Sequence, residues 1–522
     1  MNETQQNIVN TYISLIEENK VIPSYADFLP SNITRDTIKY YFGNIEKLHK
    51  YMSDNHSDDI SKHITTVDHV FGKLKTFNSK RYVITTAVAD SPVDENFLAS
   101  LNNYCSIKDA QLIIMPCESI TNSFENRTAT FDPKLMNYDF LSEDTNLNNN
   151  ITLASIQVSA KQIKPTTGLS RIGRREGSYV FAAPKQFLEY IPSGNDRGKN
   201  YAIMTPGACT KPSYYTTTFV SKRLSYIAQH DHTLGALIVE IVDDNTFHFR
   251  QIQADEDGSF IDLCKRYDAN TVTDVPVHII LGDIHGVQLN MDVANRFIES
   301  FKDKSVKSLF LHDTLDALSI NHHIQTIGER AKRLINNLES ELEETLDNML
   351  LLDNGLSPET LYIVKSNHDE FLDRYLKEAR YASDAENHRF ALKCAHGIFE
   401  EEDTFRYALR MLDYNIPKHW LFLQREDSVK IAGVECAAHG DLGLNGARSS
   451  INSLEKIYGE CVVAHSHSGA IQRGVFRVGT FSDLDMEYNR GPSSWTHTAC
   501  LLYDNGQRQL VNFIDGDFFL ED

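Results

Sequence analysis

The chain lacks any apolar run approaching the roughly 18 residues that span a bilayer, so a transmembrane helix is excluded and no membrane partner is expected. Its first ten residues, MNETQQNIVN, hold neither a basic nor an apolar stretch, so no secretory leader is expected. The eight cysteines are scattered, form no CxxC pair, and mostly lie in apolar segments such as LIIMPC and ECVVAH. That argues against a disulfide frame or a zinc knuckle and fits reduced core thiols in a cytoplasmic protein. Positive charge is scarce: 51 Lys and Arg against 72 Asp and Glu leave a net charge of −21. Such a chain should stay soluble and should not cling indiscriminately to nucleic acid or anionic lipid. There is no internal repeat and no low-complexity tract. What is present is a composition 41% apolar and 10% aromatic, enough to bury real cores and too rich for disorder. The 522 residues are long enough for several units, and the 20 histidines stand out because they gather in a few short clusters.

The pattern predicts three units. Residues 1–80 read as helical. Ile8, Ile13, Leu15 and Ile16 mark an amphipathic stretch, and a short helix is expected from Tyr25 to Leu29. Pro30-Ser31-Asn32 makes a turn, Thr34 opens a second helix through TRDTIKYYF, and Gly43-Asn44 breaks it before IEKLHKYM. Helix, tight turn, helix is the spacing of a helix-turn-helix, and Arg35 and Lys39 lie four apart on one face. The alternative from the same pattern is a small helical packing or oligomerisation module.

Residues 81–270 alternate strand and helix patterns: RYVITTAVA, then VDENFLASLNNYCS, then AQLIIMPC. A polar stretch from Glu125 to Asn150 is expected to be a long loop, and ITLASIQVSA, NYAIMTP, ALIVEIV and TFHFRQIQA are expected to be strands. Within this unit, residues 161–230 carry eleven Lys and Arg, among them Arg171, Arg174 and Arg175, against three acidic residues. With Tyr and Phe interleaved, that is the footprint of a polyanion surface, or of a face that pairs with the acidic remainder.

From residue 271 the pattern sharpens. Apolar strand runs end in GDIHG, HDTLD, SNHDE, AHGD and AHSH, and a long helix is expected from Ile320 to Leu352. The C-terminal edge of an α/β sheet is where ligands collect. The runs place there Asp283 and His285, Asp313, Asn367 and His368, His439, and His465 and His467. One such group is a common accident, but five in series after apolar strands are hard to explain by packing. Carboxylate, imidazole and amide oxygen without thiolate suit manganese, iron or zinc. His396, in KCAHG, is a competitor for His439, but its surroundings have helical spacing. His322-His323 reads as a helix-flanking pair.

The five motifs, in this order, resemble those of the calcineurin-like metallophosphoesterases over residues 271–520. SNHD leans toward the Mre11- and SbcD-like DNases, and the missing Arg after HDTLD counts against a phosphoprotein substrate. The arrangement of the chain is similar to that of the large pre-early nucleases of T5-type phages, which act in degradation of host DNA. The resemblance implies an α/β fold whose C-terminal part is a β-sandwich of mixed sheets flanked by helices, with two divalent ions per chain, Mn2+ first and Fe2+, Zn2+ or Mg2+ as alternatives. Asp283, His285 and His467 would hold one ion, Asn367, His439 and His465 the other, and Asp313 would bridge them. His368 would protonate the leaving oxygen, and Asp369 would orient His368. His312, Ser366, Ala438 and Ala464 stand where the family usually has Gly, which puts the local backbone in question.

The expectation is therefore a metal-dependent DNA phosphodiesterase in the host cytoplasm. DNA is its partner, self-association is expected, and a host or phage protein partner stays open. The alternatives are a phosphatase or cyclic-nucleotide phosphodiesterase on the same site, and a DNA-binding regulator or host-takeover scaffold.

Overall fold

In the computed structural model, the strand Val277–Asp283 sends alternate side chains into two cores, Ile279 and Leu281 into one and Ile280 into the other. Strand Val306–His312 repeats this with Leu309 and Leu311 against Phe310, and Thr360–Val364 with Leu361 and Ile363 against Val364. Alternation with both sides apolar is what a pleated strand buried on both faces requires. The structure describes residues 2–521 apart from 20–21, 24, 26, 67–76, 120–128, 194–199, 215–218, 322–336, 401, 487–488 and 490.

These strands sit in a six-stranded mixed sheet. Trp420–Phe422, Thr360–Val364, Val306–His312 and Val277–Asp283 run parallel, and Thr498–Leu502 and Arg508–Asn512 complete it antiparallel. Parallel strands need crossovers. One is the helix Met291–Phe301, capped by Asn290; another contains the helix Leu338–Leu356, capped by Asn337. Both helices pack on the face bearing Leu281 and Leu309. All four parallel strands therefore end on one edge, and the loops that bear His285, Asp313 and His368 leave from there, while His439, His465 and His467 follow Val434–Glu435 and Cys461–Val463 of a second sheet. The expected long helix is described only as Leu338–Leu356; His322 and His323 lie outside the described residues.

The opposite face packs on a ten-stranded sheet, with Ile280, Phe310 and Val364 against Val462, Ile471 and Phe476. That sheet runs from Lys430–Ile431 to Thr145–Asn148 and is continuous where Ala470–Gln472 pairs antiparallel with Gln186–Pro192, Ile471 opposite Leu188. The stretches 81–270 and 271–522, expected to be separate units, thus share one sheet. A five-stranded sheet with Arg81–Val88 at its centre adds Ile84, Leu237 and Phe249 to the same core. The chain has an α/β fold, and among the described residues no helix is long and apolar enough to cross a membrane.

Some local expectations change. The presumed loop 125–150 contains the short strands Thr130–Phe131, Asp139–Phe140 and Thr145–Asn148, because Phe131, Leu135 and Phe140 are buried. ITLASIQVSA is strand only over Ile151–Ala154. Helices Glu3–Asn19, Arg35–Phe42 and Ile45–Asn55 bury their own core of Ile8, Tyr12, Ile38, Leu48 and Met52. Thr34 and Asn44 cap the last two, and Gly43 separates them at φ 88°. In place of the expected short helix there is a single 3-10 turn, Leu29–Ser31.

Candidate metal centre

Strand Val277–Asp283 ends on the buried Asp283, and His285 follows in the left-handed region at φ 53°. Asp313, next after Val306–His312, lies at φ 43°, and His465 and His467, beyond Cys461–Val463, lie at 70° and 55°. Each such non-glycine position costs about 1–3 kcal/mol and persists only where surrounding structure imposes it. Here the loops are laced together: the His285 amide donates to the Asp313 carbonyl at 2.7 Å, and the Ile284 amide to the His312 carbonyl at 3.0 Å. Gly282 is required because a Cβ there would lie 2.7 Å from the Gly479 backbone.

The strained loops converge on two groups of ligand atoms. In the first, Asp283, His285, Asp313 and His467 each offer an atom within 4.8 Å of the others, as do Asp313, His439 and His465 in the second. Asn367 joins the second group, its Oδ1 3.1 Å from His439 Nε2. Asp313 belongs to both; its Oδ2 lies 3.9 Å from His285 Nε2 and 3.4 Å from His439 Nε2. The seven residues expected to be ligands are therefore brought together. His396 stands on the exposed side of the helix His388–Phe399.

The donor set fits a cation. Ligands about 2.1 Å from one ion can be no more than about 4.2 Å apart, so groups of this size need only a small contraction. His285 Nε2 faces His467 Nε2 at 3.0 Å, an opposition of lone pairs unless one nitrogen carries a proton or both meet a cation. His439 Nδ1 and His467 Nδ1 are buried without a hydrogen-bond partner.

The electrostatics agree. Burial pushes the Asp283 carboxyl up, but the hydrogen bond and charge of His467, with the charge of His439, hold it down at about 2. Asp313 is held well below the carboxylate range, the charges of His368 and His439 outweighing burial. His439 is raised to about 9, because Asp313 and Asp283 overcome its desolvation. His465 and His467 are lowered, chiefly by burial. The buried carboxylates demand positive charge, which is what divalent ions would bring with the imidazoles neutral. This buried Asp and His cluster could hold a metal ion.

One expected role is corrected. Asp369 does not reach the His368 ring. Its carboxylate accepts from the Ser366 amide at 2.9 Å, the Ser366 hydroxyl at 2.7 Å and the Leu315 amide at 3.3 Å, so it ties two loops together. The carboxylate beside His368 is Asp316, whose Oδ1 lies 2.9 Å from His368 Nδ1 and 3.1 Å from His285 Nδ1. Asp316 was visible as the second acidic residue of HDTLD, but its spacing alone does not say which imidazole it meets. Burial opposes protonation of His368, yet the charges of Asp313 and Asp316 raise it to about 10.

His312, just before Asp313, is fully buried with neither ring nitrogen partnered. It stacks on His439 at 5.7 Å, and burial, then the charge of His439, lowers it to about 3.

Among the described residues of the basic stretch 161–230, several cations are paired and one is buried. Lys185 is buried on Asp231 at 3.1 Å, Lys164 meets Glu189 at 2.9 Å, and Lys211 meets Asp94 at 3.6 Å. Tyr179, Phe181 and Phe187 are core residues. Arg171, Lys222 and Arg223 are exposed, while the side chains of Arg174 and Arg175 lie outside the described residues. In the N-terminal helices Arg35 and Lys39 are exposed, the Arg35 guanidinium 5.1 Å from the Tyr25 ring centre.

No protein-family profile matches the chain. A solved structure of Vps29 from Chaetomium thermophilum, complexed with a cyclic peptide, aligns with 38% of this chain and 97% of its own at 11% identity. Its TM-score of 0.22 is too low to support any conclusion. Protein A1 of Escherichia phage T5 is 31% identical over 478 residues, covering 84% of this chain and 83% of that protein. Identity of that extent spans more than four fifths of both proteins, and the chain belongs to the family of phage T5 Protein A1.

Proposed function

We propose that this chain is a metal-dependent DNA phosphodiesterase, a hydrolase that works in phage-directed degradation of host DNA in the host cytoplasm. The observation that carries the reading is the pair of ligand groups joined at one carboxylate, Asp313. Asp283, His285 and His467 would hold one divalent ion, Asn367, His439 and His465 a second, and Asp313 both. Mn2+ is the first choice for this oxygen and imidazole set. Two such ions, when bound, polarise a phosphoryl oxygen and make water acidic enough to attack phosphorus in line.

The chain's own residues then do three things. Asp316 fixes His368 through Nδ1, which leaves Nε2 to carry the proton that the leaving oxygen needs. The carboxylate of Asp316, on Nδ1, favours the protonated form of that imidazole. Asp369 holds the loop on which Asn367 and His368 stand.

DNA as substrate is supported by the SNHD motif, by the phage origin of the relative, and by exposed cations in a protein of charge −21. Arg35 and Lys39 on the helix after Thr34, and Arg171, Arg174 and Arg175, are proposed to meet the phosphates. Self-association fits a chain with segments of opposite charge.

The test is incubation with linear, circular and single-stranded DNA and Mn2+, beside a small phosphomonoester. Cleavage of DNA without release of phosphate from the monoester supports the proposal. Monoester hydrolysis alone makes the protein a phosphatase, and inertness toward both leaves a DNA-binding or scaffold role.

A further inference from the structure

The ligands of the second group stand on loops from two different sheets. Asn367 follows strand Thr360–Val364 of the six-stranded sheet, and His439 follows Val434–Glu435 of the ten-stranded one. Ladder hydrogen bonds set the spacing of strands within a sheet and not between sheets, so side chains have to set the interval between these two loops.

Arg425 spans that interval. It lies three residues beyond strand Trp420–Phe422, in a turn closed by the Asp427 carboxylate, which accepts from the Gln424 amide at 2.7 Å. Arg425 Nε donates to Glu370 Oε1 at 3.0 Å, and Glu370 is two residues past His368. Nη1 and Nη2 donate to the two oxygens of Asp441 at 2.7 and 3.1 Å, and Asp441 is two residues past His439. All three guanidinium nitrogens are thus engaged, one on the loop of Asn367 and two on the loop of His439. The Arg425 and Asp441 side chains are only 15% and 12% exposed, so solvent ions screen the pair less than a surface one.

The chemistry of this strap is specific to arginine. A planar guanidinium offers N–H groups along two edges at once and grips a carboxylate bidentately, whereas an ammonium is a single point on a flexible stem. Removing the cation would leave an unopposed carboxylate on each loop, and like charges drive the loops apart.

We propose that Arg425 is a positioning residue: it sets the separation of Asn367 and His439, and with it the fit of the second ion, while the first group does not depend on it. The inference rests on the reading of the centre as a two-ion site. Because its nitrogens are all taken by carboxylates, Arg425 acts through the two loops and not on a phosphate.

The test is calorimetric titration of the metal-free full chain with Mn2+. The parent should take up two ions. Arg425→Lys keeps the charge but not the fork, and should weaken one ion about tenfold or more while leaving the other within about twofold. Glu370→Ala cuts only the Nε arm, at a half-buried side chain, and should weaken the same ion by a smaller factor; it carries the test should Arg425→Lys fail to fold. His439→Ala disables the second group, so adding Arg425→Lys to it should leave the remaining ion within about twofold. A merely structural tie would instead weaken both ions alike and lower the melting point in EDTA. Equal weakening of both ions, no change in either, or a further loss when Arg425→Lys is added to His439→Ala would overturn the assignment. A parent that binds fewer than two ions removes the two-ion reading and this inference with it. If two ions bind and Arg425→Lys weakens one, but no phosphodiester is hydrolysed, the phosphodiesterase reading fails and the positioning role stands.

Discussion

Asp316 offers the sharpest test of how the site works, because one buried oxygen serves two imidazoles. Its Oδ1 is 3.1 Å from His285 Nδ1, on a proposed ligand, and 2.9 Å from His368 Nδ1, on the proposed acid. Burial opposes ionisation of Asp316, but the hydrogen bonds from both rings hold the carboxyl down at about 2. Asp316→Asn keeps the shape and one acceptor oxygen and removes the charge. A hydrogen bond to a charged group contributes about 1.5–3 kcal/mol and a neutral one about 1 kcal/mol, so two bonds together lose about 1–4 kcal/mol. At about 1.4 kcal/mol per decade that is an effect of about fivefold to several hundredfold, which brackets the roughly 10–100-fold loss found when the outer partner of a ligating histidine is removed. It should divide between the two rings. Calorimetric titration should show weaker Mn2+ binding through His285, and single-turnover DNA cleavage at saturating Mn2+ should be slower through His368. Asp369→Asn should instead lower thermal stability, because one of the two oxygens that serve Ser366 and Leu315 becomes an amide nitrogen. If Asp316→Asn stays within about twofold in both assays while Asp369→Asn slows cleavage at an unchanged melting point, Asp369 is the orienting carboxylate after all.

Asp313→Ala should abolish hydrolysis and lower metal occupancy, since its carboxylate faces both ligand groups; His396→Ala should leave both intact, and a loss equal to that of Asp313→Ala would reopen the choice of ligand. His368→Asn should keep the metals and slow DNA cleavage by about 10²–10⁴, with a much smaller loss on a nitrophenyl diester, whose leaving group needs little protonation. Equal losses on both substrates would make His368 a binding residue. Glu341, which accepts from the Leu318 and Ser319 amides, is raised by burial from its ordinary 4.5 to about 7. Between those values the folded chain binds more protons than the unfolded one, so stability should fall as pH rises, by about 3 kcal/mol at most. The melting point of Glu341→Gln should therefore change less than that of the parent between about pH 5 and about pH 7.5. Parallel curves would refute the assignment.

The chain's own order of residues determined the parallel strands and their ends. Val277–Asp283, Val306–His312 and Thr360–Val364 are short apolar runs closed by polar motifs, and burial on both faces leaves such runs little other use. That is why Asp283, Asp313, Asn367 and the histidines could be picked out together. The caps at Thr34 and Asn44 were equally legible, because capping is a contact between residues three apart. What lay beyond the sequence were contacts between distant residues. Asp316 sits three residues after Asp313 and Asp369 directly after His368, and only the turn of each loop decides which carboxylate reaches His368 and which closes on Ser366. The pairing of Ala470–Gln472 with Gln186–Pro192 unites two stretches that differ in charge and pattern, since register depends on which apolar face must be covered and not on local composition. Lys185 of the basic stretch was illegible for a related reason. Lys185 reads as a surface charge in sequence, but the fold buries it on Asp231, and whether a charge faces solvent or a partner is settled only when the chain is packed.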